Sequence, residues 1–257
     1  MGKEKNTLWS FGDSFSEEVI NVPGENLRHK YVREYLNGVP YKTWPKIVAE
    51  KLDYNYENHA GINGAKFKYL GCGNSNDSMF FNVNEQSANF KKGDIVIIGF
   101  TNTGRYQVPA NKGSGVWTIL PNQEFGLNTR RYLENFIERN ENNYYVHEMM
   151  QKFKILETLS KVIGFTIYYW DWTQIFETTP DINLDNWILQ QINLDNNINN
   201  FYMLLKDCEY YKLNRFDKVI KINDETDDKI YDSHWGKVTN DALGDIFYEH
   251  IKKRING

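Results

Sequence analysis

The sequence predicts an α/β protein in which helices cover both faces of a mostly parallel sheet. Residues 94–99 and 164–170 carry continuous apolar runs, as expected for parallel strands that are buried on both faces. These runs alternate along the chain with segments of helical periodicity, which is the pattern of a parallel sheet with crossover helices. The chain has 257 residues and shows neither an internal repeat nor a domain linker, so we expect one domain over residues 1–257.

The elements of the first half follow from local signals. Residues 7–12 form a strand-like segment that ends at a glycine. Thr43 is a good N-cap, and the Trp-Pro pair after it suits a first helical turn, so a helix is predicted from there through Leu52. Residues 78–90 have a helical rhythm and lead into the apolar run at 94–99.

The second half adds an insertion, two helical regions and a last strand. The segment around 105–128 is rich in Gly, Pro and Asn, and we expect an insertion there with a hairpin around residues 113–115. A long, broken helical region is predicted over 132–162, before the second apolar run. Residues 217–222 read as a short last strand, and residues 236–255 as an amphipathic helix.

Charge and hydropathy argue against two classes of partner. The formal net charge is −4, so no overall basic field favours nucleic acid. No segment is apolar over the length of a bilayer span, and residues 1–6 lack the apolar core of a signal peptide. We therefore expect no nucleic-acid partner and no membrane span. We also expect synthesis in the cytosol, from which a specialised export machine or lysis would release the protein.

The sequence indicates neither a metal site nor a cofactor. Cys72 and Cys208 lie far apart and match no zinc or redox spacing, so we interpret them as buried free thiols. No cluster of His, Cys and Asp has ligand spacing. The glycines around Cys72 lack the strand and helix context of a phosphate-binding loop.

Four polar segments carry the residues that can do chemistry. Three of them are glycine-bearing loops after predicted strands, and the fourth follows the last strand: residues 12–14, 71–77, 99–102 and 231–235. In open α/β sheets, sites form at the carboxyl ends of the strands. We therefore expect these four segments to converge on one pocket.

The residue types in these segments suit acyl transfer. A serine hydroxyl becomes a good nucleophile when a base takes its proton, and His234 can serve Ser14 in this way. Asp232 can hold the histidine in the required tautomer. The backbone N–H groups of Ser14 and Gly73 and the side-chain amide of Asn102 are candidate donors to the tetrahedral oxyanion.

These motifs resemble the sequence blocks of the SGNH (GDSL-like) hydrolases, and of phage-encoded members in particular. Gly12-Asp13-Ser14-Phe15-Ser16 resembles the nucleophile block, Gly73 the block-two glycine, Gly99-Phe100-Thr101-Asn102 the third block, and Asp232-Ser233-His234 the last. The blocks come in the family's order and together span nearly the whole chain. The resemblance implies a flavodoxin-like three-layer sandwich with a five-stranded sheet. It also implies a Ser14–His234–Asp232 triad, an oxyanion hole of Ser14, Gly73 and Asn102, and hydrolysis of an ester.

The sequence departs from the family pattern in two places. Only Ser233 separates Asp232 from His234, where two residues are usual; the shorter spacing, often followed by Trp, resembles branches that act on acetylated polysaccharides. It also leaves open a Ser–His dyad. Two loops compete for the second block, one ending at Gly61 and one containing Gly73. We favour Gly73, because the Asn-Ser-Asn-Asp that follows it and the helix beyond resemble phage-encoded members.

Two functions follow from these interpretations. The first is a serine esterase, an O-deacetylase whose substrate is an acetylated glycan, associated with virion or tail proteins if it is phage-encoded. The alternative is a virion structural or glycan-binding subunit that keeps the scaffold with weak or lost catalysis, because a fold does not settle function.

Overall fold

A computed structural model describes eight segments of the chain: residues 4–12, 16, 39–60, 76–100, 106–109, 116–119, 142–171 and 237–256. The strands are β1 (Thr7–Phe11), β2 (Asn55–Asn58), β3 (Ile95–Phe100), β4 (Tyr106–Pro109), β5 (Val116–Ile119) and β6 (Thr166–Asp171). The helices are α1 (Trp44–Leu52), α2 (Asn76–Gln86), α3 (Asn142–Ile163) and α4 (Lys237–Asn256), with a short 3₁₀ turn at Ser87–Asn89.

Four strands form a parallel sheet in the order β2–β1–β3–β6. The prediction of an α/β fold with a parallel sheet is therefore confirmed. The chain moves from β1 to β2 on one side and then crosses to β3 on the other, so the direction of strand order reverses between β1 and β3. The predicted fifth strand at 217–222 lies outside the described residues.

One face of the sheet packs against α2 and α3. Alternate strand residues point to this face, including Trp9 and Phe11 of β1 and Ile98 of β3, and they join one buried apolar cluster with Met79 and Phe153 of the helices. Six-residue β3 is buried along its whole length, because helices cover both of its faces.

The opposite face packs against α1 and α4. Leu8 of β1 and Trp170 of β6 belong to a second buried cluster with Trp44 of α1 and Phe247 of α4. The rings of Trp44 and Phe247 meet edge to face with centroids 4.4 Å apart. Helices on both faces make the described part of the chain a three-layer α/β/α sandwich.

The start of α1 corrects one detail of the sequence analysis. Thr43 occupies the N-cap position, as predicted, but its side chain makes no capping hydrogen bond. Asn240 of α4 caps the helix from a distance: its Oδ1 accepts a hydrogen bond from the backbone N–H of Trp44 at 3.0 Å. The two helices also come very close, since a Cβ on Gly244 would lie 2.6 Å from Cγ2 of Ile47.

The predicted hairpin around residues 113–115 is confirmed. β4 and β5 pair antiparallel on either side of that segment, with Tyr106 opposite Ile119 and Pro109 opposite Val116. The break expected in the helical region 132–162 does not fall within α3, which is continuous from Asn142 to Ile163. The single domain and the extent of the insertion stay predictions.

Candidate active site

The six residues predicted to do chemistry all lie outside the described residues: Ser14, Gly61, Gly73, Asn102, Asp232 and His234. What the structure describes is the ends of the elements that lead into each of them. The candidate site is therefore built from those ends, and the residues themselves stay predictions.

The nucleophile segment starts at the point where the strand order reverses. Phe11 pairs with Ile98, so Gly12 lies beside Gly99. A Cβ on Gly12 would stand 3.4 Å from the carbonyl oxygen of Gly99. Crevices at such a reversal are the usual ligand sites of open α/β sheets. Ser14 follows Gly12 by two residues, and Asn102 follows the end of β3 at Phe100 by two.

Ser16 fills the space beside these two glycines. Its side chain is fully buried, and its Oγ lies 2.9 Å from the Cβ position of Gly12 and 3.3 Å from that of Gly99. The absence of a Cβ at both positions leaves room for Ser16, with the closer approach at Gly12. The Oγ has no hydrogen-bond partner among the described residues, so a buried polar atom is available at the reversal point.

Asn58 joins the end of β2 to the segment that follows β1. Its Nδ2 donates to the carbonyl oxygen of Ser16 at 3.1 Å, and its Oδ1 accepts from the N–H of Ala60 at 2.7 Å. The N–H of His59 donates to the carbonyl oxygen of Ser10 at 2.7 Å and so continues the strand pairing. Gly61, one of the two candidate block-two glycines, comes directly after Ala60.

His59 contributes an aromatic surface at the same edge. Its ring stacks on that of Phe11, with centroids 5.2 Å apart and planes at 15°, and lies 5.8 Å from that of Trp9. The side chain is half-buried. We interpret His59 as a packing residue at the carboxyl edge.

The start of α2 leads back toward the other candidate glycine. Asp77, in its first turn, is four residues after Gly73. The Nζ of Lys152 on α3 contacts Oδ1 of Asp77 at 2.7 Å and Oε1 of Glu148 at 2.9 Å. Burial acts to lower the pKa of Lys152, but its hydrogen bonds to Asp77 and Glu148 outweigh burial and raise the pKa above the ordinary value. A charged lysine thus ties the start of α2 to α3.

The first turn of α4 lies at the same edge of the sheet. Because α1 connects the carboxyl end of β1 to the amino end of β2, its first residue, Trp44, lies at the carboxyl edge. The hydrogen bond from Trp44 to Asn240 brings the first turn of α4 there as well. His234 precedes Lys237 by three residues. Three residues of fully extended chain span at most about 10 Å.

The titratable side chain of Tyr169 on β6 lies in the buried core. Burial raises the pKa of the Tyr169 hydroxyl well above its ordinary value, and the charge of Glu157 adds to this. Tyr169 therefore stays neutral in the core between the sheet and α3. Within the described segments, no group of three or more His, Cys, Asp and Glu side chains is placed to hold a metal ion.

Two residues at this edge, Ser16 and Asn58, were assigned no functional role from the sequence. In the sequence, Ser16 is the last residue of the nucleophile block, and Asn58 lies three residues before Gly61 in one of the two competing loops. A polar residue two positions after the candidate nucleophile was a usable signal for Ser16. For Asn58 no local signal existed, because its partner lies 42 residues away in the sequence.

No protein-family model matches the chain, and no curated protein matches it. Among solved structures, the chain is similar to the crystal structure of protein YxiM from Bacillus subtilis, with a TM-score of 0.41 and 11% sequence identity. The match covers 97% of this chain and 57% of YxiM, so this chain spans little more than half of that protein. A likeness at this level carries no argument about activity.

No helix in the described segments has both the length and the apolar character needed to cross a membrane.

Proposed function

We propose that the chain is a serine esterase of the SGNH type with Ser14 as its nucleophile. The observation that carries the proposal is the junction at the sheet reversal, where Gly12 and Gly99 meet and Ser16 fills the space beside them. Ser14 lies between two residues of this junction in sequence. A nucleophile held at the carboxyl edge of a parallel sheet is in the place where such folds bind ligands.

The proposed reaction has two steps. His234 takes the proton of Ser14 as its Oγ attacks the ester carbonyl carbon, with Asp232 orienting the histidine. The backbone N–H groups of Ser14 and Gly73 and the side chain of Asn102 stabilise the oxyanion. Collapse breaks the ester bond and releases the alcohol, which receives the proton from His234. Water, deprotonated by the same histidine, then attacks the acyl carbon. The bond to the Ser14 Oγ breaks, the Oγ takes the proton back from His234, and the acid is released.

The position of α4 supports the assignment of the distal pair. The hydrogen bond between Asn240 and Trp44 holds the first turn of α4 at the carboxyl edge. The first turn of α4 and Gly12 therefore lie at the same edge of the sheet. In the sequence, Asp232 and His234 precede Lys237 by five and three residues.

The proposed substrate is an O-acetyl ester on a carbohydrate. The support is the short Asp232-Ser233-His234 spacing followed by Trp235, which resembles polysaccharide-acting branches of the family. If the chain is phage-encoded, the glycan belongs to a cell surface and the protein is associated with the virion. Gly61 is the alternative to Gly73 as the oxyanion donor from the second block.

A serine-directed probe tests the function. We expect a fluorophosphonate to label Ser14, and Ser14→Ala to lower kcat for p-nitrophenyl acetate by on the order of 10⁴-fold or more. The matched control is Ser87→Ala, in the 3₁₀ turn before β3, where the exposed hydroxyl donates to the carbonyl oxygen of Asn84. Acetate release from an acetylated glycan then tests the substrate. Undiminished turnover by the Ser14→Ala variant would exclude the proposal.

The alternative is a virion structural or glycan-binding subunit without catalysis. It predicts that the folded protein binds an acetylated glycan, or co-purifies with virus particles, and neither releases acetate nor reacts with the probe. A saturable esterase rate that depends on Ser14 would rule out a purely structural role.

A further inference from the structure

The side-chain amide of Asn58 uses both of its ends at the carboxyl edge. The donor end bonds the carbonyl oxygen of Ser16 at 3.1 Å, and the acceptor end takes the N–H of Ala60 at 2.7 Å. In the reverse orientation, the amide oxygen of Asn58 would face the carbonyl oxygen of Ser16, and its nitrogen would face the backbone nitrogen of Ala60. Both bonds therefore require an amide in this one orientation.

Ser16, whose carbonyl oxygen accepts the hydrogen bond from Asn58, is also fixed by its other contacts. Ser16 is fully buried, and its side chain occupies the space left by Gly12 and Gly99. The two glycines fix where the side chain of Ser16 lies, and Asn58 fixes its backbone carbonyl. Residue 16 thus has a defined position relative to three neighbouring strands, β2, β1 and β3.

We propose that Asn58 is a positioning residue, which holds Ser16 in place and so sets the location of Ser14 two residues before it. It touches neither the substrate nor the reacting atoms in this role. Its effect on catalysis rests on the proposed esterase function, whereas its effect on the backbone of residue 16 does not. The same side chain also holds the N–H of Ala60, the residue before Gly61 in the sequence.

The expected effect is on rate more than on binding. A displacement of about 1 Å at a reacting group can cost roughly 100-fold in rate. Replacing Asn58 by Asp keeps the acceptor for the Ala60 N–H but removes the donor, and it sets a carboxylate oxygen against the carbonyl oxygen of Ser16. The variant changes only one of the two contacts and adds no bulk.

Asn55 supplies a matched control on the same strand. Its Nδ2 also donates to a backbone carbonyl oxygen, that of Lys5, at 3.3 Å. Asn55 is exposed and lies at the opposite end of β2. Asn55→Asp therefore repeats the chemical change three residues away without touching the carboxyl edge.

The experiment measures kcat and KM for p-nitrophenyl acetate together with hydrogen exchange of the peptide that covers residues 10–17. We expect Asn58→Asp to lower kcat by about 10–100-fold with KM within about threefold, and to speed exchange in that peptide. Asn55→Asp should change neither quantity. Asn58→Gln, which keeps the amide donor on a longer stem, should retain more of the rate than Asn58→Asp.

The two readouts separate the two proposals. If the wild type neither turns over the ester nor labels at Ser14, the esterase proposal fails, and faster exchange in Asn58→Asp alone then decides for the positioning role. Unchanged exchange with unchanged kcat overturns the positioning proposal. A loss of kcat that matches the loss of folded protein, with exchange raised across the whole chain, also overturns it, since Asn58 would then serve only stability.

Discussion

The two edges of the sheet are built in opposite ways. At the amino edge, the buried carboxylate of Asp94 accepts hydrogen bonds from the backbone N–H groups of Thr7 and Lys91 and from Nε1 of Trp9, at 2.8–3.0 Å. At the carboxyl edge, Gly12 and Gly99 leave space that Ser16 fills, and the Ser16 hydroxyl has no hydrogen-bond partner among the described residues. Both oxygens of the Asp94 carboxylate accept hydrogen bonds within the fold, whereas the buried Ser16 hydroxyl at the other edge has no hydrogen-bond partner among the described residues.

This difference separates the residues on which we expect stability to depend from those on which we expect activity to depend. Asp94 joins β1, β3 and the turn before β3, so it secures the start of the central strands. Exposed ion pairs also surround the amino edge, among them Lys5 with Asp53 and Lys91 with Glu4. Such exposed pairs contribute little. The buried carboxylate is therefore the residue on which we expect stability at this edge to depend.

The largest expected effect is from Asp94→Ala. It leaves three donors without their acceptor, and we expect the free energy of unfolding to fall by about 3 kcal/mol. Esterase kcat of the protein that remains folded should change by less than about twofold, since the carboxyl edge is untouched. Denaturant unfolding measures the free energy of unfolding. The maximal ester turnover rate, divided by the concentration of active sites from titration, gives kcat. Asp245→Ala, which removes an exposed ion pair with Lys51, is the control; an equal loss of stability in both variants would remove the contrast between the edges.

Gly12→Ala should have the converse effect. The new Cβ would lie 2.9 Å from Oγ and 3.0 Å from Cβ of Ser16, so the segment after β1 has to move. We expect kcat for the ester to fall by about 100-fold, with about 1–2 kcal/mol lost from the free energy of unfolding. Adding Ser16→Gly removes both clashing atoms. The double variant should recover at least about tenfold in kcat, and a double variant no faster than Gly12→Ala would show that this contact does not set the position of the segment.

The smallest expected effect is on acid stability through His250 of α4. Burial, with the positive charges of Arg254 and Lys253, lowers the pKa of His250 to about 4, and its ring packs edge to face on Tyr168. The unfolded chain takes up this proton near pH 6.5, whereas the folded protein resists it until about pH 4. The stabilisation is therefore complete above pH 6.5 and is lost as the pH falls toward 4.

Thermal unfolding between pH 7 and pH 4 measures this loss. Allowing for partial solvent screening, we expect His250 to account for on the order of 1 kcal/mol over that range. His250→Gln removes the titrating group and should show a correspondingly shallower decline. Parallel pH profiles for the two proteins would show that some other group causes the acid sensitivity.

Local sequence was enough to predict several elements of the fold. The apolar runs at 94–99 and 164–170 correspond to β3 and β6, because strands covered on both faces need continuous hydrophobic sequence. Thr43 and the Trp-Pro pair correctly marked the start of α1. Local sequence did not predict which residue makes the capping hydrogen bond of α1. The hydrogen bond is made by Asn240, 196 residues further along the chain, and local pattern cannot reveal such a partner.

The sequence by itself determined several strands and helices, among them β3, β6 and α1, and it predicted that chemically capable residues follow the strands. Only the tertiary structure decided that β1 lies between β2 and β3, and that this order brings Gly12, Gly99, Ser16 and Asn58 together. The physical reason is that periodicity and capping act within a few residues, whereas strand order follows from crossover connections and from the packing of helices on both faces.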